Sequence, residues 1–86
     1  MTDEIMQFPC VFPIKVMGKQ SNQFQHMVES LVREHVADED WISIQSAQSR
    51  KGNYLSVTVK IQAQSRQQLD AIYLKLTGCK EVIMAL

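Results

Sequence analysis

The side chains in this chain that could do chemistry are few and scattered. His26 and His35 stand nine residues apart within one helical pattern. At about 100° of rotation per residue they project from opposite faces of a helix and cannot share a metal ion. Cys10 and Cys79 form no CxxC pair. They open two strands that run antiparallel in the fold expected below, which sets the thiols roughly 20 Å apart at about 3.3 Å per residue. That span is beyond a disulfide, so both thiols read as small apolar side chains. Asp38, Glu39 and Asp40 are adjacent carboxylates on a stretch with the marks of a solvated turn, and no pocket is implied there. No serine or cysteine stands near a histidine in an elbow or triad spacing. Gly18, Gly52 and Gly78 are isolated, whereas a phosphate-cradling loop clusters its glycines. These residues point to no catalytic group, no metal and no cofactor, and the chain is expected not to be an enzyme.

Composition narrows the class further. At 86 residues, 45% of them hydrophobic, residues 1–86 make one small domain. A domain of this size buries only about 60% of its unfolded surface, so its stability is marginal. Nine basic residues balance nine acidic ones. A zero net charge argues against a dedicated nucleic-acid binder and against electrostatic docking on a membrane. No apolar run approaches the roughly 20 residues that span a bilayer. The opening Met-Thr-Asp-Glu-Ile-Met is acidic and lacks the basic-then-apolar order of a secretory leader. A cytoplasmic, reducing setting is the expectation.

Hydrophobic periodicity supplies the elements. The clearest is Asn53 to Ala63, where Leu55, Val57, Val59, Ile61 and Ala63 alternate with Tyr54, Ser56, Thr58, Lys60 and Gln62. This period of two predicts a strand packed on one face only. Residues 1–9 are a flexible polar lead-in. Phe8-Pro9 and Phe12-Pro13 favour extended backbone, and a first strand spans about 11–17 with Phe12, Ile14 and Val16 inward. Pro13 must face away from a ladder partner or sit at a bulge. Phe24, Met27, Val28, Leu31 and Val32 follow at helical spacing. They predict a helix over 22–36, capped by Ser21 or Asn22 with Gln25 in support. An acidic loop then leads to a second strand over 41–49, with Ile42 and Ile44 inward and Trp41 as a packing residue. Ser49 to Asn53 supply a turn in which Gly52 takes positive φ. A second helix is capped by Ser65 with Gln68, buries Leu69, Ile72, Tyr73 and Leu76, and stops at a Gly78 cap. The last strand, about 79–86, buries Val82, Met84 and Leu86 or, one register over, Ile83 and Ala85. The order β-α-β-β-α-β predicts an α+β, ferredoxin-like sandwich. Its antiparallel sheet runs 4-1-3-2, with both helices on one face.

The runs Phe8-Pro9, Lys15-Val16-Met17-Gly18 and Lys51-Gly52-Asn53-Tyr54 with Ser56-Val57, and the closing Met84-Ala85-Leu86, resemble the YbeD-like family of small bacterial proteins. The resemblance covers nearly the whole chain. It implies a ferredoxin-like fold similar to the ACT domains that regulate metabolic enzymes. It implies no activity and transfers no catalytic residue; a link to lipoate metabolism rests on gene neighbourhood alone. Fold likeness by itself does not carry function.

Two surfaces are candidates for contact. Val11, Met17, Ile83 and Ala85 are expected to cluster on the open sheet face, and exposed apolar patches mark interaction surfaces. Gly18, in the first strand-to-helix connection, lies where ACT-like domains admit a ligand at subunit junctions. The hairpin tip Arg50-Lys51-Gly52-Asn53-Tyr54 offers basic side chains and an aromatic ring to an acidic partner. The leading expectation is a regulatory or binding domain that contacts a protein partner, a second copy or a small metabolite. The alternative is a nucleic-acid-binding adaptor resembling an RNA-recognition domain. Such domains stack bases on several sheet aromatics, and Tyr54 alone would serve here. The strand assignment itself is testable: Val59→Asp would bury an unpaired charge and should yield a protein with no cooperative melt by circular dichroism. A soluble, cooperatively melting variant would contradict the inward face.

Overall fold

Two helices cover one face of a four-stranded antiparallel sheet in the computed structural model, which describes residues 7–86. The elements are β1 (Cys10–Lys19), α1 (Phe24–Arg33), a single 3-10 turn (Asp38–Asp40), β2 (Trp41–Gln48), β3 (Tyr54–Ala63), α2 (Arg66–Thr77) and β4 (Val82–Ala85). The sheet order is β2-β3-β1-β4, the ferredoxin-like arrangement expected from the pattern. Most of the lead-in assigned to 1–9 lies outside the described residues, and Phe8 packs against the core.

The core is the inner face of the two central strands. Ile14 and Val16 of β1 and Val57, Val59, Ile61 and Ala63 of β3 are all but inaccessible to solvent. The strands pair in unbroken register from Cys10 opposite Ala63 to Lys19 opposite Tyr54. Pro13 fits this ladder without loss. The main chain of Lys15 exchanges bonds of 3.0 and 2.7 Å with Leu86 on the β4 side. Backbone groups two residues apart point the same way, so the nitrogen of Pro13 faces past β4, where the described residues place no acceptor.

Burial, more than capping, holds α1. Its N-cap residue is Gln23, not Ser21 or Asn22, and it makes no side-chain cap bond. A cap is worth about 1 kcal/mol, whereas each buried side chain of its stripe, Phe24, Val28 and Val32, is worth about 1.5–3 kcal/mol. The helix stops at Arg33 rather than 36. The apolar stripe continues to buried Val36 over a turn tightened by Val36 N–H donating to the Arg33 carbonyl. In α2 the expected cap is present: the Gln68 N–H donates to Ser65 Oγ at 3.0 Å. Gly78 occupies the C-cap with right-handed φ of −80°, so it closes the helix without using the left-handed region.

Both edge strands change phase at a bulge, and both changes correct the expected pattern. Trp41 and Ile44 are an odd three residues apart, so a regular strand would turn them to opposite faces. The register shift between Trp41 and Ser43 inserts Ile42 as an extra residue, and Trp41 and Ile44 both pack on the core. Ile42, expected inward, is exposed. Val82 and Ala85 stand in the same relation. The shift opposite Met17 and Gly18 takes up Ile83 and brings both onto the core.

Gly18 lies inside β1, opposite Leu55 and Val82, and not in a loop. A β-carbon there would stand 2.3 Å from Phe24 Cε1 and 2.5 Å from the Glu81 carbonyl. The glycine is what lets the Phe24 ring close over the strand. Gly18→Ala should therefore destabilise the fold by about 1–3 kcal/mol through overpacking, read from chemical denaturation. An unchanged midpoint would show that the ring has room to move.

Candidate functional site

The face of the sheet away from the helices is built by the residues the core leaves over. Strict pairing of β1 with β3 sets Lys19 opposite Tyr54, Met17 opposite Ser56, Lys15 opposite Thr58, Pro13 opposite Lys60 and Val11 opposite Gln62. β4 adds Met84 beside Met17 and Leu86 beside Lys15. Met17, Met84 and Leu86 are 38%, 47% and 67% exposed, an apolar strip that folding has not covered. A shallow hollow of about 180 Å³ lies along it, bounded by Lys15, Met17, Ser56, Thr58, Met84 and Leu86.

This composition differs in part from the expected patch. Met17 stands where the alternation put it, and Val11 is exposed near the far end of β1. Ala85 instead faces the helices, opposite Val16, and Ile83 is the exposed bulge residue of β4. Their open-face places go to Met84 and Leu86, because the bulge shifts the phase of a strand that is apolar at every position. Lys19 was absent from the sequence-based set; its signal was only its odd-numbered place after Lys15 and Met17.

The hairpin tip is ordered by its own backbone. Gly52 takes φ of +76° and donates to the Ser49 carbonyl at 2.9 Å. Ser49 Oγ accepts from the Tyr54 N–H at 3.1 Å. The Asn53 carbonyl accepts from the Gln20 N–H at 2.9 Å, which ties the tip to the end of β1. Arg50, Lys51 and Tyr54 are thereby exposed on a braced turn.

On the helix side, a smaller hollow of about 140 Å³ is lined by Ser21, Gln23, Phe24, Met27 and Glu81. Beside it the Cys79 thiol donates to Glu81 Oε1 at 3.1 Å and lies 3.6 Å from Met27 Sδ. The hydrogen bond to Glu81, aided by burial, pushes the thiol above its ordinary pKa. The same bond holds the Glu81 carboxyl below its usual range. Cys10 sits at the other end of β1, opposite Ala63, and both cysteines are free. On α2, Tyr73 donates its hydroxyl to the Leu86 main-chain oxygen at 2.6 Å, and burial pushes its pKa up. Among the described residues no three His, Cys, Asp or Glu side chains gather as a metal site would require. No described helix is long and apolar enough to cross a membrane.

Residues 3–86 match the family described as protein of unknown function, DUF493. The chain belongs to this family. Its relatives include the UPF0250 protein NE1487 of Nitrosomonas europaea, 44% identical with all of both chains covered. The UPF0250 protein of Chromobacterium violaceum is 42% identical over 96% of this chain and 93% of its own. The likeness to the YbeD-like family therefore holds. Among solved structures, protein HP0495 from H. pylori superposes with a TM-score of 0.75 at 13% identity, covering 94% of this chain and 85% of that one. The uncharacterized protein TM1266 from Thermotoga maritima gives 0.65 at 13% identity, covering 88% of this chain and 92% of that one. At such identity these two share the fold alone.

In this DUF493 member the sequence-derived candidates fall into separate places. Met17 joins the open strip, Gly18 is consumed by packing under Phe24, and the 50–54 tip stands at the Lys19 end of the sheet. The thiol–carboxylate pair carries its own test. Removing the acceptor in Glu81→Ala should lower the Cys79 pKa, so alkylation by iodoacetamide at mildly alkaline pH should speed up in that variant, measured by intact mass. An unchanged rate would show that the hydrogen bond does not govern the thiol.

Proposed function

We propose that this DUF493 chain is a non-enzymatic regulatory or binding module of the cytoplasm that engages a partner through the open sheet face. The observation that carries the reading is the uncovered strip of Met17, Met84 and Leu86 on a face where, among the described residues, no histidine, cysteine or carboxylate side chain stands. Methionine suits such a role, since its flexible thioether adapts to the surface it meets. The likeness to ACT regulatory domains supports the same class. Two magnitudes favour a protein partner over a metabolite. Small-molecule pockets usually run to about 300–1,000 Å³, and the hollow on this face holds about 180 Å³. The β1–α1 connection is the weaker docking place, because the Phe24 ring already occupies the space over Gly18.

A second reading, pairing of two copies edge to edge, draws on the contrast between the outer strands. Both carry a bulge, but β4 is only four residues long, and a very short edge strand discourages edge pairing. β2 is eight residues long, Trp-Ile-Ser-Ile-Gln-Ser-Ala-Gln, without a charge or a proline. Nucleic-acid binding is less favoured, since Tyr54 is the one aromatic side chain on the open face of β1 and β3.

Light scattering on the eluting protein, and a thermal-shift screen of amino acids and lipoate-related compounds, test the module reading together. A self-association or a ligand-raised melting temperature is expected, and Met17→Glu should abolish it. That substitution falls on an exposed site, so it should change stability by no more than about 0.5 kcal/mol. A strict monomer whose melting temperature no compound moves would remove the support for this function.

A further inference from the structure

The zero net charge conceals a segregation of charge by face. Lys15, Lys19 and Lys60 project from the open sheet face, and Arg50 and Lys51 from the hairpin tip at its Lys19 end; all five are exposed. Among the described residues no Asp or Glu side chain shares that face. Glu29 belongs to α1 and Glu34 is its C-cap, Asp70 belongs to α2, Asp38 to Asp40 to the turn before β2, and Glu81 lines the hollow beneath Phe24. Of the helix-side cations, Arg33 reaches Glu29 at 2.9 Å and Asp38 at 3.7 Å, and Arg66 reaches Asp70 at 3.6 Å. None of the five sheet-side cations has an ion-pair partner among the described residues.

The spacing of these cations is ordered. Lys15 and Lys19 bracket Met17 along β1, two residues to either side on one face. Lys60 stands on the diagonal from Lys15, since Lys15 pairs with Thr58, and diagonal cross-strand neighbours are about 7–8 Å apart. Like charges placed side by side repel. Folding gains nothing from the arrangement, which leaves it to be repaid by something that binds.

We propose that the open face recognises an acidic protein segment. An apolar side chain of the partner packs on Met17, Met84 and Leu86, and carboxylates flanking it pair with Lys15, Lys19 and Lys60. Arg50 and Lys51 extend the positive field toward the approaching segment and raise the rate of encounter. This inference rests on the open-face reading above and adds the chemistry of the partner. A nucleic acid fits less well: single-strand platforms interleave their cations with several stacking rings, and the apolar element here is two methionines and a leucine.

The experiment follows backbone amide signals of the labelled protein while a short peptide alternating glutamate and leucine is added. The same peptide with glutamine for glutamate, and a uridine oligonucleotide, serve as comparisons. The expected result is perturbation confined to residues 15–19, 54–60 and 84–86 by the acidic peptide, weakening as salt rises. Reversing two exposed charges in Lys15→Glu with Lys60→Glu should weaken binding about tenfold. Lys75→Glu, on the exposed side of α2, should leave it unchanged; the thermal melt of each variant confirms its fold. Equal, salt-indifferent binding of the glutamine peptide to the face would overturn the acidic partner while sparing the open-face reading. Tighter binding of the oligonucleotide at the same residues would overturn it in favour of a nucleic acid. Absence of perturbation there by every probe would overturn both.

Discussion

The ladder between β1 and β3 sets the terms for the whole molecule. Ten residues of each strand pair without interruption, and the inner residues of both are fully withdrawn from water from Ile14 to Val16 and from Val57 to Ala63. Because side chains alternate with a period of two, a slip of one residue would turn that entire set into solvent. At about 1.5–3 kcal/mol for each large side chain, a slip would cost an amount comparable to the whole 5–15 kcal/mol by which domains are stable. The register is therefore locked, and the outer face is locked with it. Lys15, Met17 and Thr58 stand where they do because Ile14, Val16 and Val57 must be dry.

The remaining elements fasten onto this ladder at a few joints. At one corner the Arg33 guanidinium of α1 lies 4.0 Å from the centre of the Trp41 ring, a cation–π contact that ties the helix to the start of β2. At the same end of the molecule, Gln68 serves both helices. Its side-chain amide donates to the His35 carbonyl after α1 and accepts from the Gln64 N–H before α2. At the opposite edge Tyr73 meets Phe12 edge-on at 6.5 Å and holds the Leu86 main-chain oxygen, which fixes the end of β4 beside Lys15. These joints are polar tips on apolar bodies, as suits a small domain that has little core to spare.

What alternation and helical spacing can reveal follows from these facts. β3 was legible because a strand packed on one side writes its orientation into the sequence, and α2 because Ser65 and Gln68 make a local cap that needs no tertiary partner. The topology then followed from counting elements. The errors fall where phase changes: Ile42 and Ile83 are bulge residues, and a period-two reading has no term for an inserted residue. β4 was ambiguous for a second reason. Val82 to Leu86 is apolar at every position, so nothing in it distinguishes inside from outside, and only pairing with Val16 and Met17 settles that Ala85 turns in and Met84 out. Gly18 was misplaced because a glycine that admits a distant ring looks the same in sequence as one that starts a turn. The turn over 49–53, by contrast, falls where expected between β2 and β3, since Gly52 and its neighbours act locally.

The electrostatics were the least legible, although every charge could be counted. Net charge is a sum over the chain and keeps no record of where the fold sends each residue. Here the two helices and the turn before β2 take up most of the carboxylates, while the outward positions of β1 and β3 receive lysines. Both groups cancel in the total and separate in space across the thickness of the sheet. The Debye length at physiological salt is about 8 Å, so an incoming molecule that meets the sheet side feels Lys15, Lys19 and Lys60 and very little of the acids behind them. The objection to charged partners drawn from a neutral composition thus loses its force at the surface itself: a balanced chain can still present a positive face, provided its core decides which side each charge must occupy.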